Sequence, residues 1–211
     1  MNDEAKLGFG TRCLHVGQGP DPETGAAAPP IYQTSSYEFP DADTAAARYA
    51  LEDEGNVYSR ISNPTVRALE ERLASLEGGV DALATAAGMG ALDAATSVLA
   101  ETGDNVVCAS SVYGGTHGYL SHTAARRGIE ARFVDTLDPE AYAEAIDENT
   151  AYVHCETVAN PALVTPPFEE IARVAHERDT PLFIDNTFGT PALCRPLEHG
   201  ADIVWNYIID R

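Results

Sequence analysis

The chain has 211 residues and carries 13 Lys+Arg against 33 Asp+Glu, a formal net charge of −20. Such an acidic surface repels phosphate backbones and anionic headgroups, which argues against nucleic-acid and membrane partners; no run of 18 apolar residues offers a membrane span, and no basic stretch precedes an apolar one as in a signal peptide. A hydrophobic content of 44% is too high for disorder and suits one domain with a sizeable core.

In chain order, residues 1–60 read as irregular, punctuated by Pro20, Pro22, Pro29, Pro30 and Pro40 with Gly17, Gly19 and Gly25 between. A long segment of this kind is usually functional or reaches a neighbour. The first clear element is a helix: Asn63 is a good N-cap, Pro64 suits the first turn, Val66, Leu69, Leu73 and Leu76 recur at helical spacing, and Gly78-Gly79 ends it. Short apolar runs and amphipathic stretches then alternate. The pattern predicts strands at 80–86, 105–109, 129–134, 151–155, 181–184 and 201–205. It predicts helices at 90–101, 117–127, 139–146 and 167–178, the last with Phe168, Ile171, Val174 and Ala175 on one face. Near-continuous apolar strands alternating with helices imply an α/β fold with a mostly parallel sheet covered on both faces.

The acidity is spread along the chain rather than held in a tail. With a single lysine (Lys6) and abundant alanine, it resembles the halophilic-like acidic surface of proteins from a high-salt cytoplasm. Cys13, Cys108, Cys155 and Cys194 form no C-x-x-C pair, which argues against a disulfide framework and fits a reducing, cytoplasmic setting. The histidines, with His117 and His122 five apart, show no metal-ligand spacing.

In a parallel sheet, ligands bind beyond the carboxyl ends of the strands. The loops to inspect are therefore Ala87–Met89, Ser110–Thr116, Glu156–Pro161 and Asp185–Phe188. Small residues at 86–90 would expose backbone N–H groups at a helix start, an anion site or merely a close-packed turn. Tyr113 could stack on a flat ligand or plug the sheet end. Asp185, at the mouth of a buried strand, could hold a pyridine nitrogen protonated or cap a turn. Tyr58 and Arg60, in the irregular arm, suit a phosphate dianion or an ordinary surface ion pair.

Taken in order, these segments resemble a family. Pro30–Tyr37, Tyr58–Thr65, Leu76–Gly79, Tyr113–Thr116, Asp185–Phe188 and Gly200–Val204 look like the N-terminal part of the cysteine/methionine-metabolism (trans-sulfuration) enzymes that use pyridoxal 5′-phosphate (PLP). The resemblance runs from Gly8 to Val204 and implies the aspartate-aminotransferase-like large domain, fold type I. Glu156–Pro161 and Leu193–Gly200 lean toward the O-acetylhomoserine sulfhydrylase branch, and Gly115 departs from methionine γ-lyases, which tend to carry cysteine there. Cystathionine γ-synthases and γ-lyases of the same family are the alternative branch.

The resemblance implies roles. Gly88 and Met89 would offer backbone N–H groups to the cofactor phosphate, and Tyr113 would stack on its ring and act near the substrate Cα. Asp185 would pair with the ring nitrogen, and Asn160 and Thr187 would help seat the ring. Tyr58 and Arg60 would reach the phosphate of a neighbouring subunit, implying a homo-oligomer. Ala87 stands where serine is common.

The family anchors PLP covalently on a lysine that ends a motif like Gly-Ala-Asp-Ile-Val-x-His-Ser-x-Thr-Lys. Counted from Gly200, that position is Asp210, and Lys6 lies too near the amino end to replace it. The expected organisation is an N-terminal arm over 1–62, an incomplete PLP-binding large domain over 63–204 and a divergent tail over 205–211, without the C-terminal small domain. The expected function is γ-replacement on a small amino-acid substrate, O-acetylhomoserine plus sulfide giving homocysteine, with this chain itself inactive. The remaining alternative is a non-catalytic disrupted-gene product, or a subunit partner of a full-length homologue.

Overall fold

The computed structural model describes residues 7–208. The chain divides into two compact units, Met1–Ala84 and Thr85–Arg211.

The N-terminal unit holds three helices: α1 (Phe9–His15), α2 (Ala42–Tyr49) and α3 (Pro64–Glu77). Its first 60 residues are thus not wholly irregular. Asp41 caps α2 by accepting the Thr44 N–H at 2.7 Å, a cap that the proline-rich surroundings obscure in the sequence. α3 forms as its signals predict. Asn63 accepts the Thr65 N–H, Pro64 opens the first turn, and Gly78 closes the helix in the left-handed region at φ +82°. α3 belongs with the arm rather than with the sheet, because the arm is bonded to it. Arg72 donates to the Val16 carbonyl at 2.9 Å and Arg12 to the Ser75 carbonyl. At Gly17 (φ +78°) a Cβ would sit 2.4 Å from the Ala68 carbonyl oxygen, so the chain crosses α3 there without room for a side chain.

The predicted strand at 80–86 does not form. Val80 and Leu83 are exposed, at 107% and 76%, and no strand among the described residues pairs with this stretch. Its donors are taken by side chains instead: Ala82 N–H by Asp81 and Ala84 N–H by Glu70, at 2.8 and 2.9 Å. Apolar residues alone cannot make a strand without a ladder partner.

The second unit is a five-stranded, fully parallel sheet. In chain order its elements are α4 (Gly88–Leu99), β1 (Asn105–Ala109), α5 (Gly114–Gly118), β2 (Glu130–Val134), α6 (Pro139–Ala145), β3 (Thr150–Glu156), α7 (Phe168–His176), β4 (Leu182–Asp185), α8 (Thr190–Leu193) and β5 (Ile203–Trp205). The strand order is β2-β1-β3-β4-β5. From β1 the chain moves to one edge, then returns past β1 to build the other side, so the order reverses between β1 and β3. β1 and β4 are buried along their whole length, as near-continuous apolar runs in a covered parallel sheet require.

α6 packs on α7, and Ile171, Val174 and Ala175 of the predicted apolar face enter the core together with Ala172, while Phe168, half-buried, packs against it. The predicted regular helix at 117–127 is corrected to α5 followed by a π-helical turn at Tyr119–Ala124. There the Tyr119 hydroxyl donates to Asp93 of α4 at 2.9 Å, and His117 stacks on Phe133 at 4.2 Å between ring centroids. Inside the core, the Thr96 hydroxyl of α4 lies 2.7 Å from that of Tyr152 in β3, and it also donates to the Leu92 carbonyl. No helix among the described residues is long and apolar enough to cross a membrane.

Candidate active site

A cavity of about 380 Å³ opens beyond the carboxyl ends of the strands, lined wholly by residues of the second unit. Five segments build it. Ala87, Gly88 and Met89 start α4; Tyr113 follows β1; Glu156 ends β3, with Val158 and Asn160 after it. Asp185 ends β4, with Thr187 and Phe188 after it, and Trp205 and Tyr207 come from the end of β5.

The strand register aligns the floor. Glu156 pairs with Asp185, and Asp185 with Trp205, so these residues stand side by side at the ends of β3, β4 and β5. Both carboxyls are buried, and burial raises both. The Glu156 carboxyl is pushed up to about 7, with the neighbouring Asp185 adding to the shift and hydrogen bonds from Tyr113 and Asn160 opposing it. The Asp185 carboxyl is raised by burial against the lowering effect of its bond from the Thr187 N–H at 2.8 Å. The loops are tied to one another. Thr157 N–H donates to the Asp185 carbonyl at 2.9 Å, Asn186 N–H to the Trp205 carbonyl at 2.8 Å, and Tyr207 N–H to the Thr187 hydroxyl at 2.9 Å. Residues 205–207 are therefore part of this folded unit.

α4 begins at Gly88, two residues before the predicted start, because the Ala87 carbonyl already accepts from Gly90 and Ala91. This puts Gly88 and Met89 in the first turn, where N–H groups point out along a positive helix end, and no side chain caps that end. A Cβ on Gly88 would lie 2.9 Å from the Trp205 ring, so glycine is what lets the backbone face the cavity there. Gly115 serves Tyr113 in the same way: a Cβ on it would meet the ring at 2.4 Å. Tyr113 is 46% exposed at the cavity.

The residue pattern therefore brings Gly88, Met89, Tyr113, Asn160, Asp185 and Thr187 to one cavity. Tyr58 and Arg60 lie in the N-terminal unit, exposed, with the guanidinium 5.4 Å from the Tyr58 ring centre. Lys6 and Asp210 lie outside the described residues. Among the described residues the cavity lining carries two carboxyls and no lysine or arginine. The sequence signals assign neither Glu156 nor Trp205 a role. Glu156 stands in the sequence as the first residue past the predicted strand at 151–155, whereas Trp205 acquires its place only from the register with Asp185.

These residues suit a flat, phosphate-bearing ring. They provide uncapped helix N–H groups for an anion, a ring face in Tyr113, a buried carboxylate for a cationic ring nitrogen, and a buried Trp205 indole N–H without a hydrogen-bond partner.

The model of the Cys/Met metabolism PLP-dependent enzymes matches residues 10–208. The O-acetyl-L-homoserine sulfhydrylase of Leptospira meyeri is 47% identical over 194 residues, covering 92% of this chain and 44% of that protein. The L-methionine gamma-lyase of Pseudomonas putida is 42% identical over 205 residues, 97% of this chain and 52% of that protein. A crystal structure from Campylobacter jejuni subsp. jejuni, of a proposed O-acetylhomoserine (thiol)-lyase bearing N′-pyridoxyl-lysine-5′-monophosphate, superposes with a TM-score of 0.92 at 38% identity, covering 95% of this chain and 49% of that one. The chain spans about half the length of the curated relatives it matches.

Proposed function

Because the chain belongs to the Cys/Met-metabolism PLP-dependent enzyme family, we propose that its cavity seats PLP and that the whole protein's reaction is γ-replacement, O-acetylhomoserine and sulfide giving homocysteine and acetate. The observation that carries this is the pairing, in one cavity, of the uncapped α4 N-terminus at Gly88 and Met89 with the buried carboxyl of Asp185. The chemistry PLP supplies when bound is an electron sink for negative charge at a substrate's Cα.

The chain's own residues provide the rest. Gly88 and Met89 N–H groups and the helix end hold the phosphate. Asp185, kept in place by Thr187, holds the ring nitrogen's proton. Tyr113 would cover one face of the ring with its phenol near the reacting carbon, while Asn160 and Thr187 would help seat the ring. Among the described residues the lining has no cation for the dianionic phosphate, and exposed Tyr58 and Arg60 suit that role from a second copy. The sulfhydrylase branch is favoured by Gly115, where a larger side chain would collide with the Tyr113 ring as it lies.

With Asp210 in the position expected of the anchoring lysine, the chain alone binds the cofactor without turning over. The test is to titrate the purified protein with PLP, following quenching of Trp205, the one tryptophan of the chain, and then to supply O-acetylhomoserine and sulfide. Saturable quenching without homocysteine is expected. Absence of quenching sinks the cofactor reading, and formation of homocysteine sinks the inactivity.

A further inference from the structure

Among the described residues, Glu156 is the one carboxyl of the cavity lining to which the proposed function gives no task. Its two oxygens are divided between two loops. Oε1 accepts the backbone N–H of Tyr113 at 2.5 Å, and Oε2 accepts that of Asn160 at 2.8 Å. The first donor lies just beyond β1 and the second just beyond β3, strands that are adjacent at the point where the sheet order reverses. No ladder bond extends that far, so the carboxylate is the direct tie between the two loops along this part of the rim.

We propose that Glu156 is a positioning residue: its carboxylate clamps the backbone at Tyr113 and Asn160 and so sets the separation of the two side chains that would face the cofactor ring. The assignment rests on the cofactor reading above. The chemistry needs a carboxylate in its ionised form. Only that form offers an acceptor to each N–H, and on protonation one oxygen becomes a donor turned toward an N–H. An amide has the same defect permanently. An aspartate keeps the charge but is one methylene shorter and cannot span both loops.

The groups around the clamp come from every strand beside it. From β4, Asp185 is the other carboxyl and raises that of Glu156; Trp205 of β5 and Gly88 and Met89 of α4 are uncharged; the Tyr113 and Tyr207 phenols stand at the cavity, and the Cys108 thiol of β1 and the Cys155 thiol of β3 are buried nearby and pushed up, away from neutrality. Asp185 is raised as well, so a titration of the clamp near neutrality is assigned to Glu156 by its loss in Glu156→Gln, which leaves Asp185 in place.

The experiment follows backbone amide resonances of the 211-residue chain, labelled with ¹⁵N, from pH 5 to 9. The Tyr113 and Asn160 amide protons are expected to shift together, with one midpoint at about 7, and neither is expected to do so in Glu156→Gln. In Glu156→Asp at most one amide should titrate, and the dispersion of the other resonances reports that each variant is folded. Unlinked titrations, or a shared titration that survives in Glu156→Gln, would overturn the clamp. The consequence is read by PLP quenching of Trp205, where Glu156→Gln is expected to weaken binding by about tenfold or more. Equal affinities in wild type and Glu156→Gln overturn the positioning role alone. No quenching in wild type overturns the cofactor reading, and this assignment with it.

Discussion

Glu156 and Asp185 stand opposite each other, in register, at the carboxyl ends of the parallel strands β3 and β4. Two buried carboxyls so placed cannot both ionise without cost, and their hydrogen bonds divide the work. Glu156 is spent on the Tyr113 and Asn160 backbone, while Asp185 is steadied by Thr187 and faces the cavity.

This predicts a stability that depends on pH near neutrality. The Glu156 carboxyl is raised from 4.5 to about 7, so the unfolded chain loses this proton well before the folded one. Between these values the folded state holds more protons, and stability falls as pH rises, levelling above about 7. With partial solvation discounted, the change is roughly 1–3 kcal/mol. Urea unfolding at pH 5 and pH 8 should show the drop in wild type and a much smaller one in Glu156→Gln. Equal drops in both would assign it to other groups.

Two glycine substitutions should have opposite profiles. Gly88→Ala puts a Cβ 2.9 Å from the Trp205 ring and 3.0 Å from the Tyr207 Cβ, which are packed neighbours. The strain, about 1–3 kcal/mol, exceeds the gain of up to about 1 kcal/mol from alanine in a helix. The variant should unfold at lower urea with a shifted Trp205 emission. Gly115→Ala meets only the Tyr113 ring, which is half exposed and can swing aside. Its stability should hardly change, while PLP quenching weakens.

The buried contact of α4 with β3 is testable by halves. Tyr152→Phe removes one hydroxyl, and Thr96 keeps its bond to the Leu92 carbonyl. The cost should be about 1 kcal/mol. Thr96→Val leaves the buried Tyr152 hydroxyl without this partner and should cost about 1–3 kcal/mol. Chemical denaturation of both variants orders the two effects, and the reverse order would mean that Tyr152 has another acceptor.

The charge of −20 predicts a strong salt response. Raising ionic strength from about 0.01 M to 1 M shortens the screening length from about 30 Å to about 3 Å and relieves the self-repulsion. The melting temperature should rise across that range in potassium chloride. A flat or falling profile would count against adaptation to a salty interior.

Much of this molecule is local enough to be written in its sequence. The N-cap, proline and periodic leucines of α3, the apolar face of α7 and the buried runs at β1, β3 and β4 announce themselves, because capping, helical spacing and burial on both faces constrain neighbouring residues directly. So does the loop set from which Gly88, Met89, Tyr113, Asn160, Asp185 and Thr187 come, since in a parallel sheet the strand ends are the rim. The stretch at 80–86 shows where such reading stops. Its composition suits a strand, but a strand exists only through a partner, and the donors of Ala82 and Ala84 are bonded to Asp81 and Glu70. The same holds for the floor of the cavity. No spacing relates Glu156 to the amide of Tyr113, 43 residues before it, or Trp205 to Asp185. Those relations come from strand order and register, which are fixed by packing among segments far apart in the chain, and they turn a glutamate at a strand end into a clamp and the lone tryptophan into a wall.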